Sequence, residues 1–337
     1  MNRFGYTRVT TLDAALELLG QHPGSRFIAG GTDLVPLMRD SVVAPTHLID
    51  ISRIPDLDRI DFSPETGLRL GALTRLVAIA EHPVIRELYG VLSQAISESA
   101  SPQIRNMATI GGNLLQKPRC AFYRDTVFPC LRRDGGDTCT ALEGDNARHA
   151  LFGGANKCIA VYPSDSANAL ATLDAVVHLL GPMGERTVPI SAFYVPPSID
   201  PTRETVIAPD EIITAISTPP PPVDARGTYV KLRDRAAYEF AIVSAAAVIG
   251  TIDGVVSHAR LALGGVAWGP YRVPLAEAVL LGQPLNAESI AHAARIALAD
   301  AQPLEENGYK IPMAQAALRR AIAGDAPKPI LLTNEVR

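Results

Sequence analysis

Phe27-Ile28-Ala29-Gly30-Gly31-Thr32-Asp33-Leu34 is a short apolar run that breaks at two glycines and then resumes as a helix-compatible sequence. A second stretch, Ala108-Thr109-Ile110-Gly111-Gly112-Asn113-Leu114, repeats the pattern about eighty residues later. A glycine pair at a strand-to-helix turn lets the main chain approach a ligand and aim successive N–H groups at it, an arrangement that suits phosphate. The helix that follows adds positive potential at its N-terminus, and Thr32 adds a hydroxyl. Neither turn is a Gly-x-Gly-x-x-Gly fingerprint or a Walker loop, since the third glycine and the Gly-Lys-Ser/Thr ending are both absent. Either turn alone could merely join a strand to a helix. Together they could clasp the two halves of one pyrophosphate, and Arg105, just before the second turn, could pair with a phosphate through its planar fork.

Working outward, an α/β unit surrounds the first turn. Thr11 is placed to cap a helix with Leu12, Ala15, Leu16 and Leu19 on one face, and Arg26–Ala29 and His47–Ile51 read as strands. A helix after Leu34 tolerates Pro36, because proline in a first turn forfeits no helical hydrogen bond. This block ends near residue 58. A second block, 59–218, contains a strand at Leu68–Ala72, helical periodicity over Val84–Ser99, a helix from Asp165 to Leu173, and strands at Val176–Leu180 and Glu211–Ser217. Asp165 has the position of a cap residue and could also accept from a sugar hydroxyl. Four consecutive prolines, Pro219 to Pro222, favour an extended linker. The third block, 223–330, opens with strands at Thr228–Arg233, Phe240–Ile249 and Ser257–Leu263, with Asp253-Gly254 suited to a hairpin turn between the last two. It closes with helices over Ala287–Ala301 and Pro312–Ala323, giving an antiparallel sheet with helices on one face.

All four cysteines, Cys120, Cys130, Cys139 and Cys158, lie in one segment, 117–158, directly after the second glycine turn. Four thiols there are compatible with two disulfides, a zinc site or an iron–sulfur cluster. A chain of 337 residues buries an ample core without disulfide staples. Structural zinc favours Cys-x₂₋₄-Cys knuckles, whereas nine, eight and eighteen residues separate these cysteines. A wide loop suits something larger than one ion, and a thiolate-ligated [4Fe–4S] cube is anionic. The segment supplies seven cations, Lys117, Arg119, Arg124, Arg132, Arg133, Arg148 and Lys157, against five acids, in a chain of net charge −4. His149 could replace one thiolate, although a solvated loop histidine is the simpler reading. A loop of this length without regular structure is uncommon unless a function orders it.

Composition bounds the rest. With 47% hydrophobic and 20% charged residues the chain reads as a globular protein of two or three domains. Its pI near 6.0, a single tryptophan and a concentration of basic residues only around the cysteines offer no nucleic-acid footprint. No membrane span and no signal of its own are expected, so the chain should be cytoplasmic, or periplasmic if exported together with a signal-bearing partner.

Taken together, Phe27–Leu34, Gln103–Leu114, Tyr162-Pro-Ser-Asp165 and Lys231-Leu-Arg-Asp-Arg-Ala-Ala-Tyr-Glu-Phe-Ala241 resemble the FAD-binding subunits of molybdenum hydroxylases, over nearly the whole chain. The resemblance implies an α+β protein: a two-part FAD-binding domain of the vanillyl-alcohol-oxidase (PCMH) type, then an α+β domain like the C-terminal domain of carbon monoxide dehydrogenase flavoproteins. The parts would be subdomain 1 at 1–58, subdomain 2 at 59–218, and the C-terminal domain at 223–330. Within the family, the cysteine-bearing insertion is similar to that of the flavin subunit of bacterial exported aldehyde oxidoreductases, and more distantly to that of 4-hydroxybenzoyl-CoA reductase, both of which carry a [4Fe–4S] cluster. By position the resemblance implies that Ala29 to Leu34 and Thr109 to Asn113, Gly111 and Gly112 included, bind the FAD pyrophosphate; Phe27, Ile28 and Arg105 are further candidate cofactor-binding residues. Asp165 would take ribose or ribityl hydroxyls, Ile159 would lie near the isoalloxazine, and Lys231 would approach the flavin edge. Cys120, Cys130, Cys139 and Cys158 would hold the cluster. The implied role is an electron-transfer subunit of a three-chain aldehyde oxidoreductase, beside a molybdenum-cofactor large subunit and a [2Fe–2S] small subunit. A stand-alone flavin oxidoreductase and a non-catalytic iron–sulfur carrier are the competing expectations.

Overall fold

The computed structural model describes residues 1–153 and 157–325. Three sheets organise it. The first is parallel, with β1 (Gly5–Arg8), β2 (Arg26–Ile28) and β3 (His47–Asp50) in the order β1-β3-β2. Thr11 caps the helix Leu12–Gln21 as expected, its hydroxyl accepting from the Ala14 N–H, and Ala15 and the leucines of that helix pack on Ile49 and Ile51. Because the strands are parallel, their C-terminal ends at Arg8, Ile28 and Asp50 gather on one edge, the edge where α/β sheets bind ligands.

The second sheet is antiparallel: β4 (Ile60–Ser63), β5 (Gly67–Gly71), β6 (Val176–Gly181), β7 (Gly184–Pro189) and β8 (Ile212–Thr218), in the order β4-β5-β8-β6-β7. The long helix expected over Val84–Ser99 is two helices, Pro83–Leu88 and Gly90–Ser97. The break falls at Tyr89, whose φ of −123° is non-helical. Tyr89 is buried edge-on against Phe62 and donates from its hydroxyl to the Pro219 carbonyl, so packing overrides helical periodicity there.

The third sheet, β9 (Ala225–Leu232), β10 (Val243–Ile252), β11 (Val255–Gly264) and β12 (Tyr271–Arg272), is antiparallel in the order β12-β11-β10-β9. Asp253 and Gly254 both have positive φ, 51° and 78°, the backbone that a tight two-residue hairpin requires. The expectation of helices on one face is incomplete. Ala245, Ala247, Leu261 and Leu263 pack on helices Ala287–Ile296 and Lys310–Ala323, but the alternate residues Ala246, Val248 and Ala262 join the core of the second sheet beside Leu92, Ala95 and Leu170. The sheet is therefore covered on both faces, which accounts for the unbroken burial of Val243–Ile249.

The cysteine segment leaves this framework after the second glycine turn and holds only short helices, Ala121–Arg124 and Leu131–Asp134, and a single 3₁₀ turn at Thr140–Leu142. Side chains order it. Arg133 donates to the carbonyls of Phe122, Tyr123, Asp125 and Phe128. At the far end, Asn307 donates to the carbonyls of His149 and Ala150, and the fully buried Lys310 donates to those of Arg148, His149 and Gly265. Lys310→Met would take this donor from the Arg148 and Gly265 carbonyls and leave that of His149 to Asn307 alone, a change expected to lower the stability of the chain by about 2 kcal/mol. Chemical denaturation checks this, and an unchanged midpoint would mean that the clamp contributes nothing.

Candidate functional site

The glycine turn from Gly30 to Leu34 sits on the ligand-binding edge of the first sheet. Among the described residues, the N–H groups of Gly30, Gly31, Thr32, Asp33 and Leu34 meet no protein acceptor, and the Thr32 hydroxyl has no partner. Five consecutive unpaired donors on a half-buried loop make a concave site for an anion. Gly31 has φ +68°, and a Cβ on Gly30 would lie 2.0 Å from the Met107 carbonyl oxygen. Gly30 is thus required where the loop crosses the chain leading into the second turn.

The second turn differs from expectation. Thr109 caps the helix Ile110–Leu114, and its amides are already used: Ile110 donates to the Thr74 carbonyl, Gly111 to that of Ala72, Gly112 to the Thr109 hydroxyl and Asn113 to the Thr109 carbonyl. No main-chain nest is left there, because the turn is welded to the end of β5. Asn113 instead contributes its side chain, whose Oδ1 accepts from Ser164 while its amide nitrogen has no acceptor among the described residues.

A cleft of about 340 Å³ opens beside the first turn, lined by Ile28, Ala29 and Met107 and by Tyr6, Arg8, Asp50, Ser52, Arg53 and Arg75. Burial pushes the Asp50 carboxyl up, but hydrogen bonds from Tyr6, Ser52 and Arg8 outweigh this and hold it well below the usual carboxylate range. Arg53 and Arg75 have no ion-pair partner among the described residues and give the cleft its positive character. Sequence reasoning missed this set. The available signal was Asp50-Ile-Ser-Arg53, polar residues directly after a strand whose parallel neighbour ends in the glycine turn.

Other expected residues lie elsewhere. Asp33 faces the cysteine segment, its carboxylate accepting from the Lys117 N–H and from Arg124 at 2.8 Å each and pairing as an ion with Arg119 at 2.9 Å. Phe27 packs in the core of the first sheet. Arg105 donates to the Ser99 carbonyl at 2.6 Å and is not among the residues lining the cleft. Asp165 and Lys231 meet each other at 2.7 Å, both almost fully buried, with the Tyr229 hydroxyl on the second carboxylate oxygen at 2.6 Å. They fasten β9 to the helix Asp165–Thr172, with the Lys231 ammonium turned inward on this carboxylate and on the Glu98 carbonyl. Ile159 is buried with Leu131, Cys139 and Ala141 inside the cysteine segment.

The four cysteines are free thiols, none joined to another in a disulfide. Cys120 packs against the apolar group that contains Cys130 and also against the one that contains Cys139. Among the described residues no three Cys, His, Asp or Glu side chains are arranged to hold a single metal ion. Burial pushes the Cys120 thiol up to about 11 and raises Cys130 as well. Cys158 is pulled down by the neighbouring Cys139 thiol and by the Arg132 guanidinium, whose Nε donates to its Sγ at 3.2 Å. His149 lies 3.3 Å from the Cys120 sulfur, with its Nδ1 buried and unpartnered.

Asp33 therefore ties the anion-binding turn to the start of the cysteine segment. Asp33→Ala would strip Arg119, Arg124 and the Lys117 N–H of their common partner. Limited proteolysis should then cut within residues 117–134 several times faster than in the parent chain, and an unchanged cleavage rate would contradict this linkage.

Comparison with known proteins bears on the whole chain. Residues 2–221 match the family described as the FAD binding domain in molybdopterin dehydrogenase, and residues 228–328 match the CO dehydrogenase flavoprotein C-terminal domain. The chain is 43% identical to the aldehyde oxidoreductase FAD-binding subunit PaoB of Escherichia coli (strain K12), over 96% of this chain and 98% of that one. It is 29% identical to the carbon monoxide dehydrogenase medium chain of Hydrogenophaga pseudoflava, over 95% and 96% of the two chains. A solved carbon monoxide dehydrogenase from Hydrogenophaga pseudoflava superposes with a TM-score of 0.75 at 28% identity, covering 97% of this chain and 99% of that one. An α+β fold with parallel and antiparallel sheets, matched along its length by these two domain families, places the chain among the FAD-binding medium subunits of the molybdenum hydroxylases.

Proposed function

We propose that this chain is the electron-transfer subunit of a molybdenum-dependent aldehyde oxidoreductase, holding FAD at the glycine turns and a [4Fe–4S] cluster at Cys120, Cys130, Cys139 and Cys158. The observation that carries the flavin part is the run of unpaired N–H groups from Gly30 to Leu34, which suits a pyrophosphate. The cluster part rests on four cysteines in one irregular segment, free of disulfides, with Cys120 adjoining both the apolar group of Cys130 and that of Cys139, a number and ligand type that suit a four-iron cube. The aldehyde assignment draws on the likeness to PaoB, named as a subunit of an aldehyde oxidoreductase.

In this reading FAD and the cluster together supply one-electron acceptance and paired-electron release. The chain's own residues bind and position. Gly30 to Leu34 and the Asn113 side-chain amide donate to the pyrophosphate, with Arg53 and Arg75 adding charge along the adjoining cleft. Asp33 holds Lys117, Arg119 and Arg124 in register with the turn, so that the anion site and the thiol site share one rigid wall. The end of the segment is fixed to the C-terminal domain through Asn307 and Lys310. The substrate pocket belongs to a molybdenum-bearing large subunit and the electron input to a [2Fe–2S] small subunit, so no acid–base pair for aldehyde chemistry is assigned here.

Two variants test the two halves separately. Gly30→Val, which drives a side chain into the Met107 carbonyl, should lower flavin content at least about tenfold while leaving iron largely intact. Cys130→Ser should remove the iron and leave flavin bound, although a segment without its ligand has less to offset its ordering entropy. Flavin and iron quantitation of the purified complex checks both. Equal loss of both in Gly30→Val would mean that the turn supports the fold alone, and parental iron in Cys130→Ser would remove Cys130 from the ligand set.

A further inference from the structure

Resting on the cluster reading above, we propose that Arg132 is a positioning residue that raises the reduction potential of the centre held by Cys158, with Glu204 as its counterweight. Arg132 sits on the short helix Leu131–Asp134 with its side chain 3% exposed. Its Nε–H donates to the Cys158 Sγ at 3.2 Å, and its Nη1 donates to the Arg203 carbonyl at 3.1 Å. The nearest carboxylate is Glu204 at 3.8 Å, outside hydrogen-bond range. Glu204 is closer to another cation, since the Lys117 ammonium lies 2.5 Å from it. Two cations thus share one carboxylate in a largely buried setting.

A guanidinium is protonated at every relevant pH and is costly to bury without an anion in contact. Among the described residues, the side chain that accepts a hydrogen bond from Arg132 is Cys158, through its sulfur, while the Glu204 carboxylate stays 3.8 Å away. A fixed positive charge bonded to a ligand sulfur stabilises the state with one more electron, and it does so without a proton moving. The couple concerned is the one-electron reduction of the cluster, supplied in a titration by dithionite and returned to ferricyanide. Arg132 therefore pulls the potential up. Glu204, which cancels part of that charge from 3.8 Å, holds it down.

The test is a redox titration of the assembled complex followed by the electron paramagnetic resonance signal of the reduced cluster. Arg132→Gln should move the midpoint to more negative potential, with about tenfold less reduced cluster at the parental midpoint, as expected for loss of a charge-assisted hydrogen bond. Arg132→Lys, which keeps the charge, should restore most of the shift. Glu204→Gln should move the midpoint the other way. If Arg132→Gln fails to assemble, the other two variants decide the matter. A Glu204→Gln midpoint that stays at the parental value or moves negative overturns the proposal, as does an Arg132→Gln midpoint equal to the parental one. Absence of any four-iron signal from the parental complex is a distinct result: it overturns the cluster reading itself.

Discussion

One carboxylate sets the geometry on which the two presumptive sites depend. Asp33 lies within the glycine turn, yet its carboxylate accepts from the Lys117 main chain and from Arg124 and pairs as an ion with Arg119. Two charge-assisted hydrogen bonds and a further ion pair on one carboxylate are a strong constraint, because each such bond is about twice as strong as a neutral one. It leaves the N–H groups of Gly30 to Leu34 free while anchoring the irregular segment that carries the thiols. Arg119 also stacks on Phe240, so the same node reaches the C-terminal domain.

The segment is held by main-chain acceptors wherever regular structure is missing. Arg133 gathers four carbonyls, and Lys310 with Asn307 gathers those at its far end. Buried carbonyls need donors, and a long loop that lacks a ladder obtains them from side chains. This explains why the cations counted in the sequence are not all directed at the thiols: Arg148 pairs with Asp234 at the surface, whereas Arg132 alone among them contacts a cysteine sulfur in the described residues.

Local signals were legible and distant ones were not. The Thr11 cap, the Asp253-Gly254 hairpin and the strand before the first glycine turn follow from residue type and spacing within a few positions. The Asp33 contacts span 84 and 91 residues, and nothing near Asp33 foretells them. Arg8, Asp50 and Arg53 come together because parallel strands end on one edge, and Arg75 joins them from the start of the helix Leu76–Glu81 in the next block. Asp165 and Lys231 were picked out from motifs, but a motif does not say which way a side chain turns; here each neutralises the other in the interior. The second glycine pair reads like the first in sequence, yet its amides are taken because the chain packs on Ala72 and Thr74.

The central claim is that one rigid framework in this chain carries both a flavin and an iron–sulfur cluster. Quantitation of flavin, iron, acid-labile sulfide and zinc in this subunit, separated from its purified complex under anaerobic conditions, tests it most directly. The account predicts one FAD together with equal amounts of iron and sulfide, about four of each per chain. Zinc in place of iron and sulfide, or a flavin-bearing subunit with neither metal, would contradict it.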